Sequence, residues 1–200
     1  MTGWIIAAAE LRIPWGSSIA AHRMVVIADP KLNAVRQFNG LASWYDGQAQ
    51  GWRYKPIGYL ATDRLRGYDT VRHPRTFMPI NGAAIGSRAV EKAITSGAMK
   101  VLADGLSESD LAVRLAPALE AIKRINALSE GPEGGAGLRY PFLGLGPNSN
   151  SFFSTLLHVM AFDEPAFARP ARIVPGAGQL LLPKDVLAEI RGSAPERRRA

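Results

Sequence analysis

The chain has 200 residues, 47% of them apolar and 20% charged, so it is long enough for one domain with a real core. It contains no cysteine, which excludes disulfides, thiolate nucleophiles and cysteine-ligated metals, and its three histidines, His22, His73 and His158, are too few for a histidine-rich metal site. The net charge of +7 is partly terminal: 192–200 read as a disordered basic tail through Arg197, Arg198 and Arg199, leaving 1–191 as a single globular domain.

The opening residues MTGWIIAAAELRI lack a basic leader segment, and Glu10 ends the apolar run. They read as a strand over 4–9 and not as a signal peptide. Synthesis as a soluble cytosolic chain follows, with export by a dedicated system left open. IPWGSS (13–18) reads as a loop. Met24 to Ala28 is a β-branched apolar run stopped by Asp29-Pro30, and VRQFNGL (35–41) is the returning strand of a hairpin. If Ala28 faces Val35, then Met24 faces Asn39 and His22 faces Leu41. His22, Asn39 and Gln37 then share one face, with Asn39 diagonal to His22. A polar side chain there orients an imidazole, although Asn39 also belongs to an Asn-Gly turn signal.

WYDGQAQGWRYKP (44–56) reads as an aromatic-rich loop over a cleft or packed on the sheet, and IGYLAT and RLRGYDTVR as two further strands. HPRTFMPINGAAIG (73–86) is irregular, with His73 structural. Ser87 to Ala103 carries apolar residues at helical spacing with Gly105 as its stop. Ser107 to Asp110 starts a second helix in the manner of a capping box, with Pro117 expected to kink or break it. SEGPEGGAGL (129–138) is a glycine-rich loop. The PGAG segment near the end is a turn, GQLLLP a short last strand and PKDVLAEIR a terminal helical turn.

The most informative stretch is LGLGPNSNSFFSTLLHVM (143–160). A glycine-rich run stops, and Phe152, Phe153, Leu156, Leu157 and Met160 follow at helical spacing, so a helix starts within NSNS. Free N–H groups and the positive dipole end make such a start a place for a nucleophile or an anion. The plainer reading is a simple helix cap.

With AHRMVVIADP and VRQFNGL, this segment resembles the circularly permuted branch of the NlpC/P60 (papain-like) hydrolases, in which the histidine strand precedes the nucleophile helix. Ser149 occupies the usual cysteine position. The resemblance covers about a third of the chain through short motifs. It implies an α+β fold, an antiparallel sheet packed against helices. It further implies a hydrolase or acyl-transfer enzyme on an amide or ester, with a peptide, such as a cell-wall peptide, or an acylated small molecule as substrate. Ser149 would be the nucleophile, His22 the base, Asn39 or Gln37 the orienter, and the backbone N–H groups of Asn150 and Ser151 the oxyanion donors. Ser151, the second hydroxyl, should point away from Ser149, and His158 should pack. A serine is too weakly acidic for a helix dipole to ionise, so it would depend on His22. The competing expectation is a pseudoenzyme: a binding or structural module, a possible effector, engaging a protein partner on the same fold. No cofactor or metal is expected, the tail alone is a weak case for nucleic acid, and no stretch is long enough to span a membrane.

Overall fold

The computed structural model describes residues 2–15, 18–55, 58–71, 87–128, 138–168, 171 and 173–193. The chain is α+β. Strands β1 (Trp4–Trp15), β2 (Ser18–Ala28), β3 (Ala34–Asp46), β4 (Gly51–Lys55), β5 (Arg64–Val71) and β6 (Met99–Leu106) form one six-stranded antiparallel sheet. The order is β4-β3-β2-β1-β6, with β5 also paired to β3. Helices α1 (Ser87–Thr95), α2 (Glu108–Ala127), α3 (Ser149–Val159) and α4 (Lys184–Gly192) complete it.

The strand alternation divides the core in two. Ile6, Ala8, Val25, Ile27 and Phe38 face α2, α3 and α4, whose Leu115, Ile122, Phe152, Phe153, Leu156 and Leu187 close the larger cluster. Ile5, Ala7, Met24, Val26 and Ala28 face the opposite way and pack on Val90 and Ala93 of α1. A helix on each side explains why β1 and β2 are apolar on both faces.

Several elements differ from the sequence expectation. Of the expected loop at 13–18, residues 13–15 and 18 are strand instead: β1 and β2 run to Trp15 and from Ser18, and pair down to that end. The aromatic loop is a hairpin, with Asp46 Oδ1 accepting from the Gln48 and Ala49 N–H groups to close its turn. The described residues of IGYLAT, 58–62, are not a strand; residues 58–63 are irregular. The first long helix stops at Thr95. Gly97 adopts φ +71 and Met99–Leu106 lies antiparallel to β1 instead, with Gly105 near the end of that strand. Gly97 suits a left-handed C-terminal stop, and a Cβ there would meet Ala168 Cβ at 2.3 Å. Pro117 does not break α2 but is buried within it. GQLLLP is not a strand. The expected boxes hold: Ser107 Oγ accepts from Asp110 N at 3.1 Å, and Asn148 caps α3. The 73–86 segment with His73, the glycine-rich loop at 129–137, and 194–200 of the expected tail lie outside the described residues.

What brings α3 close to the sheet is a pair of facing glycines. Gly40 of β3 pairs with Gly67 of β5, and Phe152 lies on both. A Cβ at Gly40 would meet Phe152 Cβ at 2.6 Å, and one at Gly67 would meet Phe152 Cε2 at 2.4 Å. Gly40→Ala or Gly67→Ala should therefore cost about 1–3 kcal/mol through overpacking. Gly47→Ala, where a Cβ meets nothing within 4 Å, should be close to neutral. Urea unfolding of the three variants checks this ordering.

Candidate functional site

The site is organised by a gap in the sheet. On one side β3 pairs with β5 from Arg36 to Ser43. On the other it pairs with β2 from Ala34 to Phe38 and with β4 from Ala42 to Asp46, so residues 39–41 have no strand partner on that side. Beyond Val25, β2 peels away, which leaves its outward backbone groups to be satisfied elsewhere. The start of α3 fills this gap. Asn150 Oδ1 accepts from Arg23 N at 3.0 Å, and Asn150 Nδ2 donates to Ala21 O and Pro175 O, each at 3.0 Å. Ala21 N donates to Ile173 O at 3.1 Å. A side-chain amide thus does for β2 what a neighbouring strand would do.

His22 lies between the two residues that Asn150 holds. The β2–β3 register, Val25↔Phe38 and Val26↔Gln37, continued along both strands, sets Asn39 diagonal to His22. His22 Nε2 and Asn39 Oδ1 are 3.0 Å apart, and Asn39 Nδ2 donates to Gln37 Oε1 at 3.3 Å. Gln37 therefore orients Asn39, and Asn39 orients the imidazole. With the Asn39 amide so turned, its carbonyl can only accept, so Nε2 carries the proton and Nδ1 keeps its lone pair. Burial pushes the His22 pKa below the usual imidazole value, opposed by the Asn39 hydrogen bond, which favours the protonated ring.

Ser149 is the first residue of α3 and precedes Asn150, so it stands at the gap, whereas His22 pairs with Leu11 and has the parity of Met24, which sets its ring toward the α1 face of the sheet. The Tyr140 phenol lies close enough to the Ser149 hydroxyl and backbone N–H for both to lower its pKa. Burial raises the Tyr140 pKa, against the lowering effect of the two Ser149 groups, so the phenol stays protonated at neutral pH. Tyr140 is fixed from below. Its N–H donates to Asp63 O at 3.0 Å, and a Cβ on Gly58 would meet its ring at 2.3 Å. Asp63 is itself held by Lys55 Nζ at 2.7 Å and by the Tyr59 and Leu60 N–H groups.

The expected oxyanion donors need correction. Asn150 N donates to Asn148 Oδ1 at 2.7 Å, and Ser151 N donates to the same side chain in the capping box. Neither N–H is free, because the N-cap takes both. Ser151 Oγ accepts from Asn148 N at 3.2 Å and donates to Gly176 O at 2.8 Å, which ties the PGAG turn to the helix. His158, half-buried on α3, has its pKa lowered by burial and by the Arg191 charge. Sequence reasoning missed Tyr140 and the side chain of Asn150. Both act through partners far away in the chain, and the only hint was that Asn150 was one polar residue more than a cap requires. Among the described residues no group of three or more His, Asp or Glu could hold a metal, and no helix is long and apolar enough to cross a membrane.

Asn150→Asp keeps the acceptor for Arg23 but loses the donor to two buried carbonyls. Thermal unfolding should show a loss of about 1–3 kcal/mol for each acceptor left unsatisfied. The buried neutral His22 gives a second outcome. Above its unfolded pKa of about 6.5, folded and unfolded chains both hold the ring neutral. As pH falls below that value, the unfolded chain takes up a proton that the native chain refuses until lower pH, so stability drops across the interval. His22→Gln should flatten that part of a pH–stability curve, while His158 contributes equally to both chains.

No protein-family model, curated protein or solved structure matches this chain.

Proposed function

We propose that this chain is a papain-like hydrolase or acyl-transfer enzyme of the permuted NlpC/P60 type, acting on an amide or ester bond with serine in place of cysteine. The observation that carries this reading is the buried His22–Asn39 pair at 3.0 Å, on a strand whose backbone either side of His22 is held by Asn150, the residue after Ser149. In this mechanism Ser149 Oγ, reaching His22 Nδ1 through the gap between β2 and β3, attacks the carbonyl carbon and gives its proton to that nitrogen. Asn39 keeps the ring in that tautomer and steadies the imidazolium. The Tyr140 O–H and the Ser149 N–H, neighbours at rest, supply the donors for the developing oxyanion. His22 then protonates the leaving amine or alcohol, and water or an acceptor resolves the acyl-enzyme. The leading substrate is a peptide amide, such as that of a cell-wall peptide.

A second reading, a catalytically silent binding module, is favoured by one feature. Ser149 is 6% exposed and His22 4%, and the N–H groups at the second and third positions of α3 are taken by Asn148.

A fluorophosphonate probe separates the two readings. The catalytic reading expects labelling that Ser149→Ala abolishes and His22→Ala slows by about 10²–10⁴. A folded chain that does not label, or that labels equally with Ser149→Ala, leaves the binding module. The labelling rate should fall as pH drops through the lowered His22 pKa, so the acid limb should lie below about 6.5. Asn39→Ala removes the bond that favours imidazolium, and should move that limb to still lower pH while reducing the rate.

A further inference from the structure

The β3–β4 hairpin and the turn after it carry a second feature that the proposed chemistry does not use. Tyr45, Trp52 and Tyr54 lie on one face of the hairpin, by the register Ser43↔Tyr54 and Tyr45↔Trp52. Trp44, Arg53 and Lys55 lie on the other, and Tyr59 and Leu60 follow on the turn. Trp44 and Tyr54 are 36% exposed, Tyr45 47%, Leu60 50% and Tyr59 56%. So much aromatic surface on one two-stranded arm marks a contact site.

The arrangement of the rings says what kind of contact. A sugar, a base or a flat side chain binds aromatics by stacking on an open ring face. Here a cation covers one face of two of the rings: Lys55 Nζ sits 3.8 Å from the centroid of Tyr59, and Arg66 Cζ 4.3 Å from that of Trp52. Tyr45 and Trp52 meet edge to face, at 75°, so they form no shared platform. A ligand in a groove would use an enclosed side of the hairpin, whereas the aromatics occupy both faces and the hollow that Trp44, Trp52 and Tyr54 border is open to solvent. Both features suit a surface that surrounds the arm and contacts ring edges. The headgroup layer of a bilayer does this, and it is where tryptophan and tyrosine partition, with lysine and arginine beside them. On the arm Arg53 is paired with Asp46 and Lys55 with Asp63, so the attraction to anionic lipid comes from the chain's overall surplus of +7.

We propose that the β3–β4 hairpin, with Tyr59 and Leu60, docks this protein peripherally on an anionic lipid surface. The docking is independent of the hydrolase reading, since it uses neither Ser149 nor His22.

The test is flotation of the full chain with vesicles of phosphatidylcholine alone and with phosphatidylglycerol added, at low and high salt. The proposal expects binding to the anionic vesicles, weaker at high salt, with a blue shift of tryptophan emission. Tyr59→Ser with Leu60→Ser, at two exposed side chains, should weaken the partition by about tenfold. Tyr45→Ser, far from that turn, serves as a second hairpin variant if the first pair unfolds, and circular dichroism reports on folding. Absence of binding overturns the proposal. So does binding that both folded hairpin variants retain, and so does binding that disappears only when residues 194–200 are deleted, since it then belongs to the chain end.

Discussion

Asn150 does the work of a missing strand. Where β2 and β3 part, the Arg23 N–H and the Ala21 carbonyl face away from β1 with no ladder to join. A buried unsatisfied donor or acceptor costs about 1–3 kcal/mol, so the parting is stable only because one amide side chain meets both. The amide also reaches Pro175 O, and Ala21 N reaches Ile173 O, so the 173–178 segment is sewn to the same place. Everything distinctive about the site follows from this wedge. Ser149 is brought to the gap because it precedes Asn150, and the backbone of His22 borders the gap because it lies between the two bonded residues.

The same device recurs at the far side of β3. Gly67 N donates to Asn126 Oδ1 at 2.8 Å and Asn126 Nδ2 donates to Gly67 O at 2.9 Å, so the end of α2 closes the free edge of β5. Both helices meet the sheet through an asparagine at one end and apolar packing along their length. Phe152 completes the arrangement, because Gly40 and Gly67 allow its ring to rest on bare backbone. The polar staples set where each helix ends, and the glycine pair sets how closely α3 approaches.

Local signals made a good part of this legible. Asp29-Pro30 and the apolar alternation placed β2 against β3 in the register observed from Val25 to Ile27, and with it the diagonal of His22 and Asn39, although Ala28 pairs with Ala34 across a shift and not with Val35. Ser107 with Asp110, and Asn148 ahead of an apolar run, placed two helix starts. The errors have equally local causes. Gly97 in the middle of an apolar helical pattern was the sign of a break, and the residues after it alternate as a strand. Asp46-Gly47 between aromatic runs is a strong hairpin signal, here hidden by the polarity of the residues that follow. Pro117 survives because α2 has a capped start and a packed face that offset one lost hydrogen bond. Tyr140 and the Asn150 amide were not legible at all. Their partners lie far away in the chain, and no period or turn rule reaches that far.

The way the α3 start is satisfied bears on what a serine could do there. A thiol at a helix N-terminus benefits from unpaired N–H groups, since these and the dipole favour thiolate. Here the protein takes two of those groups itself, since Asn148 accepts from Asn150 and Ser151. Such a start offers little to a resting anion, and a serine has none to offer. What a serine needs is a neutral base, and a donor that becomes useful only as charge develops on the substrate oxygen. Burial supplies the first by disfavouring imidazolium at His22, and the second by disfavouring tyrosinate at Tyr140. In the catalytic reading, one dry environment therefore holds base and donor in their working protonation states at neutral pH. The helix start is left to do what its hydrogen bonds indicate, which is to hold Ser149 in place.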